Sequence, residues 1–161
     1  MDVQLNPEEY ERTLPRKRVA AGVLFFDPQG RVLLVDPVYK PLWEIPGGAV
    51  ERDESPRAGA VREVKEELGL EWNPGRLLGV DWRGPRPGRS EGLVYLFDGG
   101  VLGEDRLAGV RLQAEELGAM EFVAVDQIRE RLVERLALRV EACARAREQG
   151  LTVYLEYGLP V

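Results

Sequence analysis

Apolar positions fall into short blocks along the chain, separated by glycine and proline. The longest block, Val19 to Phe26, is eight residues long and partly β-branched, which suits a buried strand and is far shorter than the about 20 residues of a membrane-crossing helix. Asp27-Pro28-Gln29-Gly30 follows, with Pro and Gly placed as a type I turn prefers them. Val32 to Val35 is therefore expected to return as a hairpin partner. Trp43-Glu44-Ile45 reads as a short strand-like piece, and Pro46-Gly47-Gly48 as a sharp turn that its glycines allow.

Ser55-Pro56 opens a helix, with an oxygen cap followed by proline at the first helical position, and Gly69 is a natural stop. Leu77 to Trp82, Leu93 to Phe97 and Met120 to Val125 read as strands, the first two flanking a loop from Arg83 to Gly92. Asp126 is placed to cap a long helix ending before Gly150, with Ile128, Leu132, Leu136 and Val140 as an apolar stripe. Leu151 to Tyr157 suits a last strand. Residues 1–17 read as an amino-terminal arm and 18–161 as one domain. This order lacks the regular alternation of a doubly wound parallel sheet; an α+β fold, an α/β/α sandwich with a mixed sheet between helices, fits better.

Composition narrows the chemistry. The 161 residues are 44% apolar and 31% charged, with 22 Lys plus Arg against 28 Asp plus Glu, a net charge of −6. That balance suits one globular domain and opposes broad binding to a nucleic-acid backbone. The chain has no histidine and one cysteine, Cys143, which excludes an internal disulfide, Cys/His zinc sites, and Ser-His-Asp or Cys-His nucleophiles. Catalysis must then use carboxylates, arginines, backbone groups and hard metals. The amino terminus puts acids and a proline where a secretory signal needs a basic start and an apolar stretch, so a cytoplasmic protein is expected.

The sharpest feature is Gly48 to Leu70, GAVERDESPRAGAVREVKEELGL. On a helical wheel starting at Val61, Val64 and Leu68 share one face, while Glu66, Glu63 and Glu67 fall between about 140° and 240°. Like charges three and four apart each oppose the bare helix by about 0.2–0.5 kcal/mol. A solvated acidic face could carry such a set, but so could a site for Mg²⁺, a hard cation that prefers oxygen ligands. The Gly-Gly turn, Glu54 and the closing Gly69-Leu70 are not needed merely to expose charge.

Gly48, five residues, Glu54, seven residues, then Arg62-Glu63-Val64, Glu66-Glu67 and Gly69-Leu70 resemble the complete Nudix box. The resemblance implies a Nudix-like fold and a metal-dependent hydrolase, using Mg²⁺ or Mn²⁺. Its reaction would be water attack on phosphorus in the diphosphate linkage of a nucleoside diphosphate derivative, such as a nucleotide, an ADP-ribose-like compound or a nucleotide sugar. By position in the motif, Glu66 and Glu67 are implied as the main metal ligands, with Glu63 joining them or orienting a metal-bound water. The Gly47 carbonyl is implied as one more oxygen, and Arg62 and Glu54 as braces between loop and helix. Glu63, Glu67 and Arg62 are thus candidate catalytic residues.

The general base in this family is a box glutamate or an acid on a later loop. Glu115 and Glu116 are the later candidates here, Glu116 being preferred; a capped turn facing solvent accounts for either equally well. Arg83, Arg86 and Arg89, in RGPRPGR, are candidates to grip a substrate phosphate through planar guanidinium groups, the alternative being a solvated loop. Pro85 stands near the spacing that marks some ADP-ribose-hydrolysing members. Trp43, Tyr95 and Phe97 could stack on a base, although core packing is the simpler use. Two other functions share such a fold: a catalytically silent module that binds or senses a nucleotide, and isopentenyl diphosphate isomerase, which needs a reactive cysteine. The stripe Leu132, Leu136 and Val140 is a candidate homodimer seam or, more simply, a cover for the sheet.

Overall fold

A computed structural model describes residues 6–161. Its elements are α1 Pro7–Thr13, β1 Arg18–Phe26, β2 Val32–Pro37, β3 Gly47–Ala49, α2 Pro56–Leu68, β4 Leu77–Arg83, β5 Gly92–Val101, α3 Glu104–Ala108 and β6 Leu117–Val123, followed by a 3₁₀ turn at Ile128–Glu130, α4 Glu134–Glu148, β7 Val153–Glu156 and β8 Leu159–Pro160. The sheet runs β6-β2-β1-β5-β4-β7-β8, with β3 attached to β1. β1 with β5 and β4 with β7 are parallel; the remaining pairs are antiparallel.

Strand β1 supplies both faces of the core, because successive side chains point to opposite sides of a sheet. Ala21, Val23 and Phe25 pack with Val64 and Leu68 of α2, whereas Leu24 and Phe26 pack with Leu136 and Val140 of α4. A mixed sheet between helices results, the α+β sandwich that the pattern predicts. No described helix is long and apolar enough to cross a membrane.

The hairpin is real but opens at once. Phe26 pairs with Val32, after which β2 runs along β6. Into the gap comes β3, whose Gly47, Gly48 and Ala49 pair with Gly22, Ala21 and Ala20, and Glu44, which bridges Val35. The Gly-Gly pair is thus a strand rather than a turn. Gly47 has φ +138°, and a Cβ there would strike the Ala21 carbonyl oxygen and come within 2.6 Å of Gly22 Cα. Glycine lets the two backbones meet this closely.

Other boundaries also differ. The arm contains α1, whose cap Asn6 accepts from the Glu9 amide at 2.9 Å while Glu9 accepts from the Asn6 amide at 3.1 Å, a capping box readable in Asn-Pro-Glu-Glu. The expected long late helix is broken: after the 3₁₀ turn, Val133 takes an extended conformation and caps α4 without a side-chain hydrogen bond. Ile128, Leu132, Leu136 and Val140 are nevertheless all buried, since the apolar period survives the break. That stripe is spent against the sheet within the chain, leaving no seam there for a homodimer. Cys143 is fully buried beneath α4, where a Cβ on Gly79 would come within 2.7 Å of its sulfur. Burial pushes the thiol up to about 12, so it is not the reactive cysteine that the isomerase reading requires.

Gly47→Ala and Gly30→Ala both place a side chain at positive φ, but Gly30 has open space around it. Gly30→Ala is expected to cost about 1–2 kcal/mol, and Gly47→Ala a further roughly 1–3 kcal/mol from the collision with β1. Urea unfolding of both variants measures the difference.

Candidate active site

The site is built at the junction of β3 and α2. Ser55 Oγ accepts from the Ala58 amide at 3.1 Å and starts α2, and Gly69, in the left-handed region at φ +67°, ends it. Between them, Arg62 spends its donors on four partners. Nε and Nη2 bond the two Glu54 oxygens at 2.9 and 3.0 Å, Nη1 bonds Glu63 at 2.9 Å and Glu66 at 3.1 Å, and Nη2 also bonds the Ala49 carbonyl at 2.9 Å. Glu54 in turn accepts from the Glu51 amide. Arg62 and Glu54 do brace the loop against the helix. Glu54 first, then Glu63, holds Arg62 protonated well above its ordinary range.

The three box glutamates differ sharply. Glu66 is half exposed. Glu63 lies against Gly48, where any Cβ would collide with its carboxylate, and burial raises its pKa against the pull of Arg62, with Glu66 and Glu116 adding to the rise. Glu67 is only 8% exposed, and its Oε2 accepts from the Gly47 amide at 2.9 Å. Burial pushes Glu67 up to about 8; the Gly47 amide opposes the shift, and the charges of Glu63, Glu116 and Glu44 add to it.

Glu116 reaches this site because its turn is stitched to the end of α2. The Arg111 amide donates to the Leu68 carbonyl at 2.8 Å, the Gln113 amide to the Glu67 carbonyl at 3.1 Å, and the Val38 amide to Glu116 itself at 2.9 Å. Its carboxylate is exposed and close enough to act on both Glu63 and Glu67. Sequence reasoning missed Glu44, which is paired with Lys40 at 2.6 Å; the only signal was its place just ahead of Gly47-Gly48.

A cavity of about 920 Å³ opens beside Glu44, Gly47 and Glu67. A neighbouring one of about 460 Å³ shares Glu44, Gly47, Gly48 and Arg89 with it. Arg83 ends β4 and faces the smaller cavity. Arg86 and Arg89 exchange backbone hydrogen bonds at 2.9 and 2.8 Å around Pro87-Gly88, with Gly88 at φ +73°, so the loop after β4 ends in a tight turn of the kind that Pro-Gly favours. Arg86 and Pro85 line neither cavity. Trp43, Tyr95 and Phe97 pack on the cores, whereas exposed Tyr39, overlooked in the sequence, borders the larger cavity.

Among the described residues, no three acidic side chains converge as a ready-made cation cage, because Arg62 holds Glu63 and Glu66 while Glu67 turns to Gly47. The donor set still fits a hard cation. Its oxygens are of the type Mg²⁺ prefers, and the burial and mutual repulsion that raise Glu67 are what a cation offsets.

A NUDIX domain family model matches residues 16–142. The chain belongs to the Nudix family. A MutT-like protein of Streptomyces ambofaciens is 32% identical over 120 residues, covering 74% of this chain and 71% of that protein. Diphosphoinositol polyphosphate phosphohydrolase 2 of Mus musculus is 42% identical over 72 residues, but the match covers only 44% of this chain and 40% of that one. In structure, the MutT protein of Methanosarcina mazei aligns with a TM-score of 0.66 at 23% identity, over 86% of this chain and 99% of that chain; that likeness concerns the fold. The protein is thus a Nudix-type pyrophosphohydrolase by class, and Nudix hydrolases generally use divalent metal ions.

Glu67 gives the metal-free Nudix protein a pH dependence. With its native pKa near 8 against an ordinary 4.5, the unfolded chain releases this proton first as pH rises, so stability present below pH 4.5 is lost progressively through pH 8. In EDTA, the melting temperature of wild type is expected to fall relative to Glu67→Gln over that window. A constant difference between the two melting curves across it would contradict the assignment.

Proposed function

We propose that this protein is a divalent-cation-dependent hydrolase that cleaves the diphosphate linkage of a nucleoside diphosphate derivative by water attack on phosphorus. Residues 18–161 are the hydrolase domain and 1–17 an arm preceding it, of which 1–5 lie outside the described residues. The observation that carries this reading is the buried, charge-strained Glu67, set beside Gly47 with Glu63 and Glu116 acting on it. A fold needing only an acidic surface has no use for a carboxyl group in that setting.

Glu66, Glu67, Glu63 and the Gly47 carbonyl are the groups to hold Mg²⁺ or Mn²⁺. When bound, the cation lowers the pKa of a water and neutralises charge on the phosphate oxygens. The chain's own residues do the rest. Arg62 fixes the Glu63 and Glu66 carboxylates and the Ala49 backbone as one unit, so the acids keep their geometry as charge builds on the substrate. Exposed Glu116, brought to the acids by the turn stitched to the end of α2, takes the proton of the attacking water. At least one of Arg83, Arg86 and Arg89 binds the substrate's phosphate oxygens, Arg83 and Arg89 being the two that line the smaller cavity.

The test is incubation with Mg²⁺ and a panel of nucleoside triphosphates, dinucleotides, ADP-ribose and nucleotide sugars, with products separated by chromatography. Turnover of at least one member is expected, abolished by EDTA and by Glu67→Gln, and lowered about 10²–10⁴-fold in kcat by Glu116→Gln. Tight binding of one member without turnover of any would instead make the protein a sensor. Near-normal turnover in Glu116→Gln would remove Glu116 as the base.

A further inference from the structure

Most buried or half-buried arginines of this chain have carboxylate partners: Arg62, Arg131, Arg139 and Arg147 are all paired. The corner where the end of β4, the following turn and the start of α4 meet is different. Among the described residues, half-buried Arg83 and its exposed neighbours Arg86, Arg89 and Arg135 make no ion pair and no side-chain hydrogen bond. They are close enough to feel one another: burial lowers the Arg83 pKa to about 10, with Arg135, Arg139 and Arg86 adding to the shift. Arg135 is lowered for the same reasons, by burial and then by Arg86 and Arg139.

Arg139 forms the floor. It is 5% exposed, and its Nε donates to the fully buried Asp81 at 2.7 Å. Its Nη2 lies 2.6 Å from the same oxygen, but out of line, and is buried without a hydrogen-bond partner. The start of α4 faces the same cavity through Val133 and Arg135. That end has no side-chain cap, Glu134 being the one acid in its first turn, so some of its first amides are left without a side-chain acceptor. Glu44, the acid on the rim, is already engaged by Lys40. A chain with a net charge of −6 has thus gathered uncompensated guanidinium groups around one concavity of about 460 Å³. Their planar forks match phosphate oxygens.

We propose that Arg83, Arg89, Arg135 and Arg139 form a second anion subsite beside the acid cluster, and that the substrate carries a further phosphate beyond the scissile diphosphate linkage. The subsite follows from the arginine corner alone, while the statement about the substrate rests on the hydrolase reading. Gly47, Gly48 and Glu44 border both cavities, so one extended ligand can reach the acids at one end and the arginines at the other.

Calorimetric titration of the full chain with inorganic tripolyphosphate, in EDTA at low salt, reads the subsite without any cation. Arg135 is exposed, so Arg135→Glu is expected to fold, with an unchanged circular dichroism spectrum, yet to bind tripolyphosphate about 30-fold or more weakly. Equal binding by wild type and variant, or no binding by wild type, overturns the subsite. Citrate binding as tight as tripolyphosphate would show only a diffuse basic surface and overturn it as well. With Mg²⁺, wild type is expected to favour a dinucleoside tetraphosphate over the matching diphosphate in kcat/KM, and Arg135→Glu to lose that preference; no preference in wild type overturns the substrate claim. A protein that hydrolyses nothing but binds tripolyphosphate through Arg135 supports the subsite and overturns the hydrolase reading.

Discussion

A single guanidinium makes the acidic helix compatible with the fold. Glu63, Glu66 and Glu67 repel one another along α2, and each like-charged pair at this spacing costs a few tenths of a kcal/mol. Arg62 answers two of them while tying both to Glu54 and to the Ala49 carbonyl. A lysine has the charge but not the rigid fork that reaches these separated partners. With Glu63 drawn onto Gly48 and Glu66 held at the rim, Glu67 is the carboxyl left to turn inward to Gly47. The helix, the loop and the strand therefore share one fastening, and the identity of each acid follows from its place relative to it.

The sequence revealed those parts of the protein whose local chemistry is sufficient to set local structure. Ser55-Pro56 and Gly69 delimit α2 because caps act over one turn, and Val64 and Leu68 are buried as their spacing requires. It could not reveal that Gly47-Gly48 is a strand, because what decides this is the close approach of Gly22, which lies 25 residues earlier. Nor did the stripe of Ile128 to Val140 disclose its interruption, since a 3₁₀ turn and a bend preserve which residues face inward. Arg139 was hidden by its residue type: seven past Leu132 it falls on the stripe's own face, but an arginine is expected at the surface, and only its pairing with Asp81, 58 positions earlier, accounts for its burial. Asn6 and Glu9 were legible as a capping box and were overlooked.

The two electrostatic halves of the site have different histories in the chain. The acids are nearly contiguous, on one helix and one turn stitched to it, so a motif can record them. The arginines come from β4, a Pro-Gly turn and the far helix, and share a cavity only because β4 pairs with β5 and α4 packs across the same sheet. The overall acidity conceals them, since a net charge sums over surfaces that never meet. β1 and β3 stand between the two halves, their backbones in contact through glycine.

Cys143 is the chain's one thiol, and it is sealed between α4 and Gly79 of β4. Because burial holds it protonated and shielded, outweighing the pull of the Arg139 charge, its reactivity depends on exposure. An alkylating reagent can reach it only when α4 lifts from the sheet, the same movement that would carry Arg135 and Arg139 away from Arg83. The protein thus contains its own clock for local opening at this corner, timed by the arrival of a label on a single sulfur.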